Sequence, residues 1–303
     1  MRLKISVDGG GLGAKRGERF GNFVFSKNLI KALFKYDKKN RYFIYTFDKL
    51  KPRLAWLKVR LSIEEFKEKK QIFLALNQAI PLYVSGKVIS FCHGLAYYFY
   101  PKYYSVKDSI RLRNQLDEII LRSKVIIVSS ERVKEELESI MVKYQLKKKI
   151  IVLPFGIPFD MPATRHPDQR ERYFLYVGMD HPIKNIEFIK KLRKNTRLKI
   201  ISENLSRQKL RRLYQRAAAL LTASHYESFN LPVLEALSQG CPVIGLKSAV
   251  IPELEPFVNL AKNQGEFINL MKEIPKKPSA ESIDRLYRQF DWKNYVKKLV
   301  ELY

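Results

Sequence analysis

Two glutamates eight residues apart are the most chemically suggestive feature of this chain. They lie in Ser224-His-Tyr-Glu227-Ser-Phe-Asn-Leu-Pro-Val-Leu-Glu235-Ala-Leu-Ser-Gln-Gly240-Cys-Pro242-Val-Ile-Gly245. The apolar run over 218–223 reads as a buried strand ending in a polar loop that holds Glu227. Pro232 can open a helix, because its missing N–H costs nothing at a first helical position. Gly240 closes that helix, and Pro242 starts another short apolar strand. Glu227 is therefore expected on a loop at the carboxyl end of a strand and Glu235 in the first helical turn, the region where open α/β sheets bind ligands. Backbone N–H groups at a helix start attract anions, so two carboxylates there call for a reason. A hydroxyl-rich ligand supplies one, if its phosphate meets the N–H groups while the acids take the hydroxyls.

Further groups follow other strand ends. In Tyr176-Val-Gly178-Met-Asp-His-Pro-Ile-Lys184-Asn185, a glycine turn after a strand lets a ligand approach the backbone closely. Lys184 then stands at the start of a helix, where it can neutralise a diphosphate. Ser90-Phe-Cys-His93-Gly94 places one of only four histidines at a strand end; a buried, satisfied imidazole and a ligand-facing one both fit that position. Asn77 and Gln78 follow another strand and can hydrogen-bond hydroxyls. Gly9-Gly10-Gly11-Leu-Gly13 follows the first strand and suggests a phosphate loop, continued by Lys15, Arg16, Arg19 and Gly21. A nicotinamide-binding reading is weak, because no helix begins at once and no acid ends a second strand at the expected place. From its residues the basic loop suits a disordered tip or an acceptor clamp as well as a phosphate contact.

The elements that must position these groups alternate between strand and helix patterns, which argues for an α/β protein with parallel sheets. Strands are expected at 3–7, 42–47, 72–76, 88–91, 125–128 and 150–153, with helices near 22–36, 107–122 and 132–144. Residues 154–170, rich in Pro and polar side chains, read as a linker. A second series follows: strand 173–177, helix 186–194, strand 198–201, helix 206–217 and the glutamate segment. The aromatic run Tyr97–Tyr104 reads as a loop suited to core packing, to an interfacial anchor, or to stacking on an acceptor sugar.

Charge bounds the partners. The formal net charge is +27, with 32 Lys/Arg against 15 Asp/Glu in residues 1–160 and 25 against 15 in residues 161–303. Such an excess favours a polyanion or an anionic membrane surface. Nucleic acid is not expected, since no basic-aromatic platform, helix-turn-helix or zinc pattern is present. No apolar run long enough to span a membrane and no signal peptide is read from the sequence. Cys92 and Cys241 form neither a disulfide framework nor a metal spacing, which predicts a reduced, cytoplasmic setting.

The segment Glu227-Ser-Phe-Asn-Leu-Pro-Val-Leu-Glu235-Ala-Leu-Ser-Gln-Gly240-Cys-Pro242-Val-Ile resembles the Glu-x7-Glu signature of the retaining glycosyltransferases of family 4, written E-G-F-G-L-P-x-x-E-A-x-x-x-G-x-P-V-I. Tyr176-Val-Gly178 through Lys184-Asn185 is similar to the family's Y-V-G-R-x-x-x-x-K-N, Leu153-Pro-Phe-Gly-Ile-Pro to its turn into the linker, and Phe290-Asp-Trp292 to its closing helix. The resemblance implies a GT-B architecture: two Rossmann-like domains with parallel sheets facing a central cleft. The implied domains are an acceptor domain over 1–160, a nucleotide-sugar domain over 161–285, and a terminal helix over 286–303 that crosses back. One helix–strand pair is missing after residue 201, so the second domain is expected to be trimmed.

The implied activity is metal-independent, retaining transfer of a mannose- or glucose-type sugar from a UDP- or GDP-type nucleotide sugar to a hydroxyl on a glycan or lipid-linked glycan. No cofactor is implied. Glu227, His93 and Lys184 would be catalytic. Gly178, Lys184, Asn185, Ser228, Phe229, Asn230, Leu231, Glu235, Glu203, Gly10 and Gly21 would bind the donor, with Glu235 on the ribose. Asn77, Gln78 and Arg16 would bind the acceptor. Two departures stand out: Asn230 where the family has glycine, and Met179 where it has arginine. Either Lys15, Arg16 or Arg19 supplies the missing charge, or phosphate binding is weaker. The alternative reading is a GT-B protein of little or no activity that binds glycans or anionic membranes. Attachment at the inner face of the membrane is a further expectation.

Overall fold

A computed structural model describes residues 2–13, 21–47, 55–163, 171, 173–194, 196–203, 205–273, 275 and 277–303. Lys15, Arg16 and Arg19, expected at phosphate or acceptor, lie outside the described residues, as does Asn204. The chain divides into two compact units, Met1–Pro154 with Trp292–Tyr303, and Phe155–Asp291.

The first unit is built on six strands, β1 (Lys4–Asp8), β2 (Arg41–Tyr45), β3 (Ile72–Ala75), β4 (Lys87–Cys92), β5 (Val125–Val128) and β6 (Lys149–Val152). They pair in parallel in the order β2-β1-β3-β4-β5-β6. Ile72–Ala75 and Val125–Val128 are buried throughout, as expected where helices cover both faces of a parallel sheet. The helices are α1 (Gly21–Tyr36), α2 (Leu61–Lys67), α3 (Ala96–Phe99), α4 (Val106–Arg122) and α5 (Glu131–Met141). Ser105 and Ser130 cap α4 and α5, their hydroxyls accepting from Asp108 N at 3.0 Å and Val133 N at 3.4 Å, which satisfies donors that a helix start leaves open. Leu61, Leu116, Ile119 and Leu137 pack with Phe73 and Ile126 in one core.

Two local readings change. Residues 56–67, not expected to be helical, form a π-helical turn (Trp56–Arg60) running into α2. The buried positions Trp56, Leu61 and Glu65 are five and four apart, so a strict 3.6-residue period misses them. The aromatic run is not a plain loop: it is α3 followed by a 3-10 turn over Pro101–Tyr103, with Tyr97 buried and Phe99 exposed.

The second unit carries β7 (Phe174–Val177), α6 (Ile186–Leu192), β8 (Leu198–Ile201), α7 (Arg207–Arg216), β9 (Ala219–Thr222), α8 (Leu231–Ser238), β10 (Val243–Leu246), β11 (Asn259–Ala261), α9 (Gln264–Lys272) and α10 (Ala280–Gln289). Its five parallel strands are ordered β11-β10-β9-β7-β8. β8 leads directly to α7, capped by Ser206, so this sheet has one strand fewer than the first. The last helix, α11 (Trp292–Val300), belongs to the first unit. There Trp292 and Tyr295 lie against Phe25 of α1 at ring-centroid distances of 6.2 and 6.4 Å.

Candidate active site

In the second unit, two loops at the carboxyl ends of neighbouring strands are tied together. After β7, residues Pro182–Lys184 make a 3-10 turn. After β9, the loop's His225 N–H donates to Ile183 O at 2.8 Å, and Ser248 Oγ donates to Ser224 O at 2.7 Å. This stitching brings Lys184 Nζ to 2.7 Å from Glu227 Oε1, an oxygen that also accepts from Ser224 Oγ at 2.8 Å. The pair is mostly enclosed, with side-chain exposures of 21 and 10%. A lysine and a glutamate 43 positions apart in sequence thus form one charge-assisted contact at the edge where α/β sheets bind ligands.

The backbone around the pair has special requirements. Asn185 and Asn230 both adopt left-handed conformations, with φ of 53° and 68°, which asparagine tolerates better than most residues. Asn230 is also fixed by its side chain: Nδ2 donates to Thr222 Oγ1 and to Ala249 O, both at 2.9 Å. It thereby sets the start of α8 at Leu231. At Gly178 a Cβ atom would meet the Tyr176 hydroxyl at 2.7 Å, so the turn after β7 accepts only glycine without displacing that ring. Phe229 is buried against Phe155 and Phe290, at centroid distances of 4.4 and 6.2 Å; its side chain packs in the core. Ser228 is half-buried beside Glu227.

Glu235 belongs to a different network. It is not in the first turn of its helix: α8 starts at Leu231, one position before the proline that suggested the start, so Glu235 falls in the second turn. It is 3% exposed. Arg207 Nη2 donates to its Oε1 at 2.7 Å and the Tyr214 hydroxyl to its Oε2 at 3.1 Å. Arg207 Nε donates also to Asp160 Oδ1 at 3.0 Å. Burial works against the charge on Arg207, but Glu235 and Asp160 more than offset it, and the guanidinium is held above its already high range. Burial and the Glu235 carboxylate likewise push the Tyr214 phenol up. Glu203 is exposed, two residues beyond β8, and among the described residues it joins neither network.

In the first unit the residues read as ligand-facing converge on the carboxyl ends of β1, β3 and β4. Gly10 N–H donates to Asp8 Oδ1 at 3.0 Å. Asn77 Nδ2 donates to Asp8 O, and Asn22 Nδ2 to Asn77 Oδ1, both at 3.3 Å. Gln78 takes a left-handed φ of 57°, and its Nε2 is buried with no hydrogen-bond partner among the described residues. Gly21 is the exposed first residue of α1. His93 Nε2 donates to Leu76 O at 2.6 Å, because a carbonyl can only accept; in a neutral ring Nδ1 then carries the lone pair. Burial pushes the His93 imidazole down to about 4, so it is neutral near pH 7.

Asp8, Ser224, Arg207, Tyr214 and Asp160 were not expected at these positions. Asp8 is fully buried, its Oδ2 has no hydrogen-bond partner among the described residues, and burial lifts its carboxyl to about 6. Its one sequence signal is an acid closing an apolar strand immediately before a glycine run.

Residues 172–255, which hold Gly178, Lys184, Glu227 and Glu235, match the family model described as Glycosyl transferases group 1. The whole chain has the two-sheet GT-B fold of solved glycosyltransferases. Sucrose-phosphate synthase from Thermosynechococcus elongatus aligns with a TM-score of 0.72 at 14% identity, over 100% of this chain and 98% of that one. Anabaena HepE, solved in complex with UDP-glucose, aligns with 0.66 at 13% identity, over 99% of each chain. The UDP-forming α,α-trehalose-phosphate synthase from Burkholderia vietnamiensis aligns with 0.65 at 10% identity, over 99% and 98%. No curated protein matches the sequence.

Proposed function

We propose that the chain transfers a mannose- or glucose-type sugar from a nucleotide-diphosphate sugar to an acceptor hydroxyl on a glycan or lipid-linked glycan, with retention and without a metal. The observation that carries this reading is the Lys184–Glu227 contact, 2.7 Å long and braced by Ser224, beside a glycine turn where a Cβ would displace the Tyr176 ring. On a donor, Lys184 neutralises charge developing on the leaving diphosphate, together with backbone N–H groups at the start of α8. Glu227, released from the lysine, accepts a hydroxyl of the donor sugar. Lysine in this place does the work that a divalent cation does elsewhere, which is why no metal is invoked.

The remaining roles rest on the resemblance. Glu235 serves the ribose, either through its remaining lone pairs or by fixing Arg207. His93, neutral and with Nδ1 as acceptor, orients a sugar hydroxyl and does not act as a cation. Gly10, Gly21 and Gly178 allow phosphate or sugar to approach the backbone, and Asn77 and Gln78 bond acceptor hydroxyls. That the relatives above are named for UDP or UDP-glucose supports a UDP-type donor over a GDP-type one. A thermal-shift screen of UDP, GDP and their glucose and mannose conjugates tests the proposal. A ligand at 100 times its Kd adds about 2.7 kcal/mol of stability. No shift with any of them, and no nucleotide release on incubation, would leave a binding protein in place of an enzyme.

A further inference from the structure

Arg207 stands where a helix favours acids. It is the first residue of α7, capped by Ser206, and a cation at that end opposes the helix dipole. It is placed there because β8 ends at Ile201 and α7 begins at Arg207, with no other helix or strand between them in the described residues. An enclosed ion pair contributes little stability compared with well-packed apolar side chains. Both features argue that this guanidinium is held for something other than the fold.

Glu235, its partner, is closed to a ligand. Oε1 is taken by Arg207 Nη2 at 2.7 Å and Oε2 by the Tyr214 hydroxyl at 3.1 Å. Asp160 holds the arginine from the other side, accepting from Nε at 3.0 Å. A guanidinium has five N–H donors. With Nε and Nη2 engaged, Nη1 has no hydrogen-bond partner among the described residues. Side-chain exposure is 27% for Arg207 against 4% for Glu235, so a ligand arriving here meets the arginine and not the acid.

Charge selects the ligand. One cation between two carboxylates leaves an excess of negative charge, which repels phosphate. The two hydrogens of Nη1 suit neutral oxygens, and their planar spread matches a pair of adjacent hydroxyls. In a nucleotide-diphosphate sugar, as proposed above, the diphosphate goes to Lys184 and the start of α8, and a sugar hydroxyl to Glu227. Glu235 lies one turn, about 6 Å, along α8 from that start. The group with adjacent hydroxyls next to the diphosphate is the ribose.

We propose that Arg207 Nη1 donates to the ribose hydroxyls of the donor nucleotide, with Glu235, Tyr214 and Asp160 holding the guanidinium in place. The assignment rests on the transferase reading, and within it moves ribose recognition from Glu235 to Arg207.

Calorimetric titration of the full chain with UDP, its 2′-deoxy and 3′-deoxy forms, and the same three guanosine diphosphates tests the assignment. The wild type is expected to bind the better ribonucleotide about tenfold more tightly than at least one of its deoxy forms. Arg207→Lys keeps a cation for Glu235 but loses the planar fork, and should cut that preference to less than about twofold. Arg207→Gln combined with Glu235→Gln leaves no buried charge unpaired and should do the same. Circular dichroism and urea unfolding establish that each variant is folded. Glu235→Gln alone still offers Nη2 an oxygen and should keep the preference, at lower overall affinity. Lys184→Ala should weaken every compound by the same factor.

The inference is overturned if Arg207→Lys and the double variant discriminate like wild type, or if Glu235→Gln alone abolishes discrimination. It is overturned as well if the wild type binds ribose and deoxyribose forms equally. Loss of only the choice between uridine and guanosine in Arg207→Lys would put Nη1 on the base and has the same consequence. In each of these cases nucleotide binding survives, and the transferase reading with it. A wild type that binds none of the compounds overturns both.

Discussion

Replacing Lys184 with alanine separates a structural ion pair from a catalytic one. The ammonium sits 2.7 Å from Glu227, and the two side chains are 21 and 10% exposed. Removing one partner of a fully buried pair costs about 3–5 kcal/mol, whereas an exposed pair is worth about 0–1 kcal/mol. Partial enclosure, and the Ser224 hydroxyl that stays on Glu227 at 2.8 Å, place the stability loss between these, at about 1–3 kcal/mol. Under the proposed role of Lys184, the transition state would lose a charge-assisted contact to the leaving diphosphate of about 1.5–3 kcal/mol, or about tenfold to a hundredfold in kcat/KM for the donor. Steady-state kinetics at fixed acceptor, with urea unfolding on the same preparations, measures both losses. The double variant Lys184→Ala with Glu227→Gln then discriminates between the roles. It no longer leaves an unpaired carboxylate, so stability should recover much of its loss, while transfer should not. Wild-type kcat/KM in the single variant, or its return in the double, refutes the assignment.

Other perturbations test the surroundings. Asn230→Ala should destabilise by about 2–4 kcal/mol in urea, because it loses two bonds to Thr222 and Ala249 and puts alanine at a positive φ. Asn230→Gly keeps the backbone freedom and should cost clearly less; equal losses would put the effect on the hydrogen bonds alone. Arg207→Ala strands Glu235, which is 3% exposed, with only the Tyr214 hydroxyl, and should cost about 3 kcal/mol in urea. Adding Glu235→Gln should recover part of it, and no recovery would show that the charge is not the source. Asp8, with its carboxyl raised from 3.8 to about 6, binds a proton more tightly folded than unfolded. Stability is therefore greatest below pH 4 on this account and falls as pH rises through 4 to 6. Asp8→Asn should raise Tm over wild type at pH 8, by the equivalent of about 2–3 kcal/mol, and lose that advantage at pH 4. An advantage that does not change with pH would refute it.

Much of the fold was legible because parallel strands buried on both faces are short apolar runs with clear ends. Val125–Val128 and Leu198–Ile201 carry the expected bounds, and most other strands differ by a residue or two. Residues 56–67 were not legible, because a π-helical turn shifts the buried positions out of the ordinary helical period. At the site, residue types were readable where a strand end meets a glycine, a lysine or an acid, as at Gly178, Lys184 and Glu227. Pairings were not. Nothing local in sequence says that Arg207 closes on Glu235, since the contact depends on α7 and α8 lying side by side in the second unit. The role of Asn230 was half legible: its tolerance of a left-handed backbone follows from its chemistry, but its two bonds to Thr222 and Ala249 need the folded neighbours.

The two glutamates are held by cations of different mobility, and under the proposed function this would divide their work. Glu227 meets a lysine, a point charge on a flexible four-carbon stem, on a pair that keeps some contact with solvent. Glu235 meets an arginine whose planar fork is gripped from both sides, by Glu235 at 2.7 Å and Asp160 at 3.0 Å, with a tyrosine closing the second carboxylate oxygen. An incoming anion can draw Lys184 off its partner at the cost of one hydrogen bond, and in doing so uncovers Glu227 as an acceptor for a hydroxyl. It cannot draw Arg207 off without breaking a triad that also anchors the start of α7. On this reasoning diphosphate and sugar binding at Lys184 and Glu227 are coupled, each favouring the other, while Glu235 and Arg207 form a fixed wall. The coupling predicts that free nucleotide diphosphate tightens sugar binding in the wild type and that Lys184→Ala removes the effect; calorimetric titration of the sugar with and without the diphosphate reads it directly, and an unchanged sugar affinity in the wild type would break the link between the two halves of the pair.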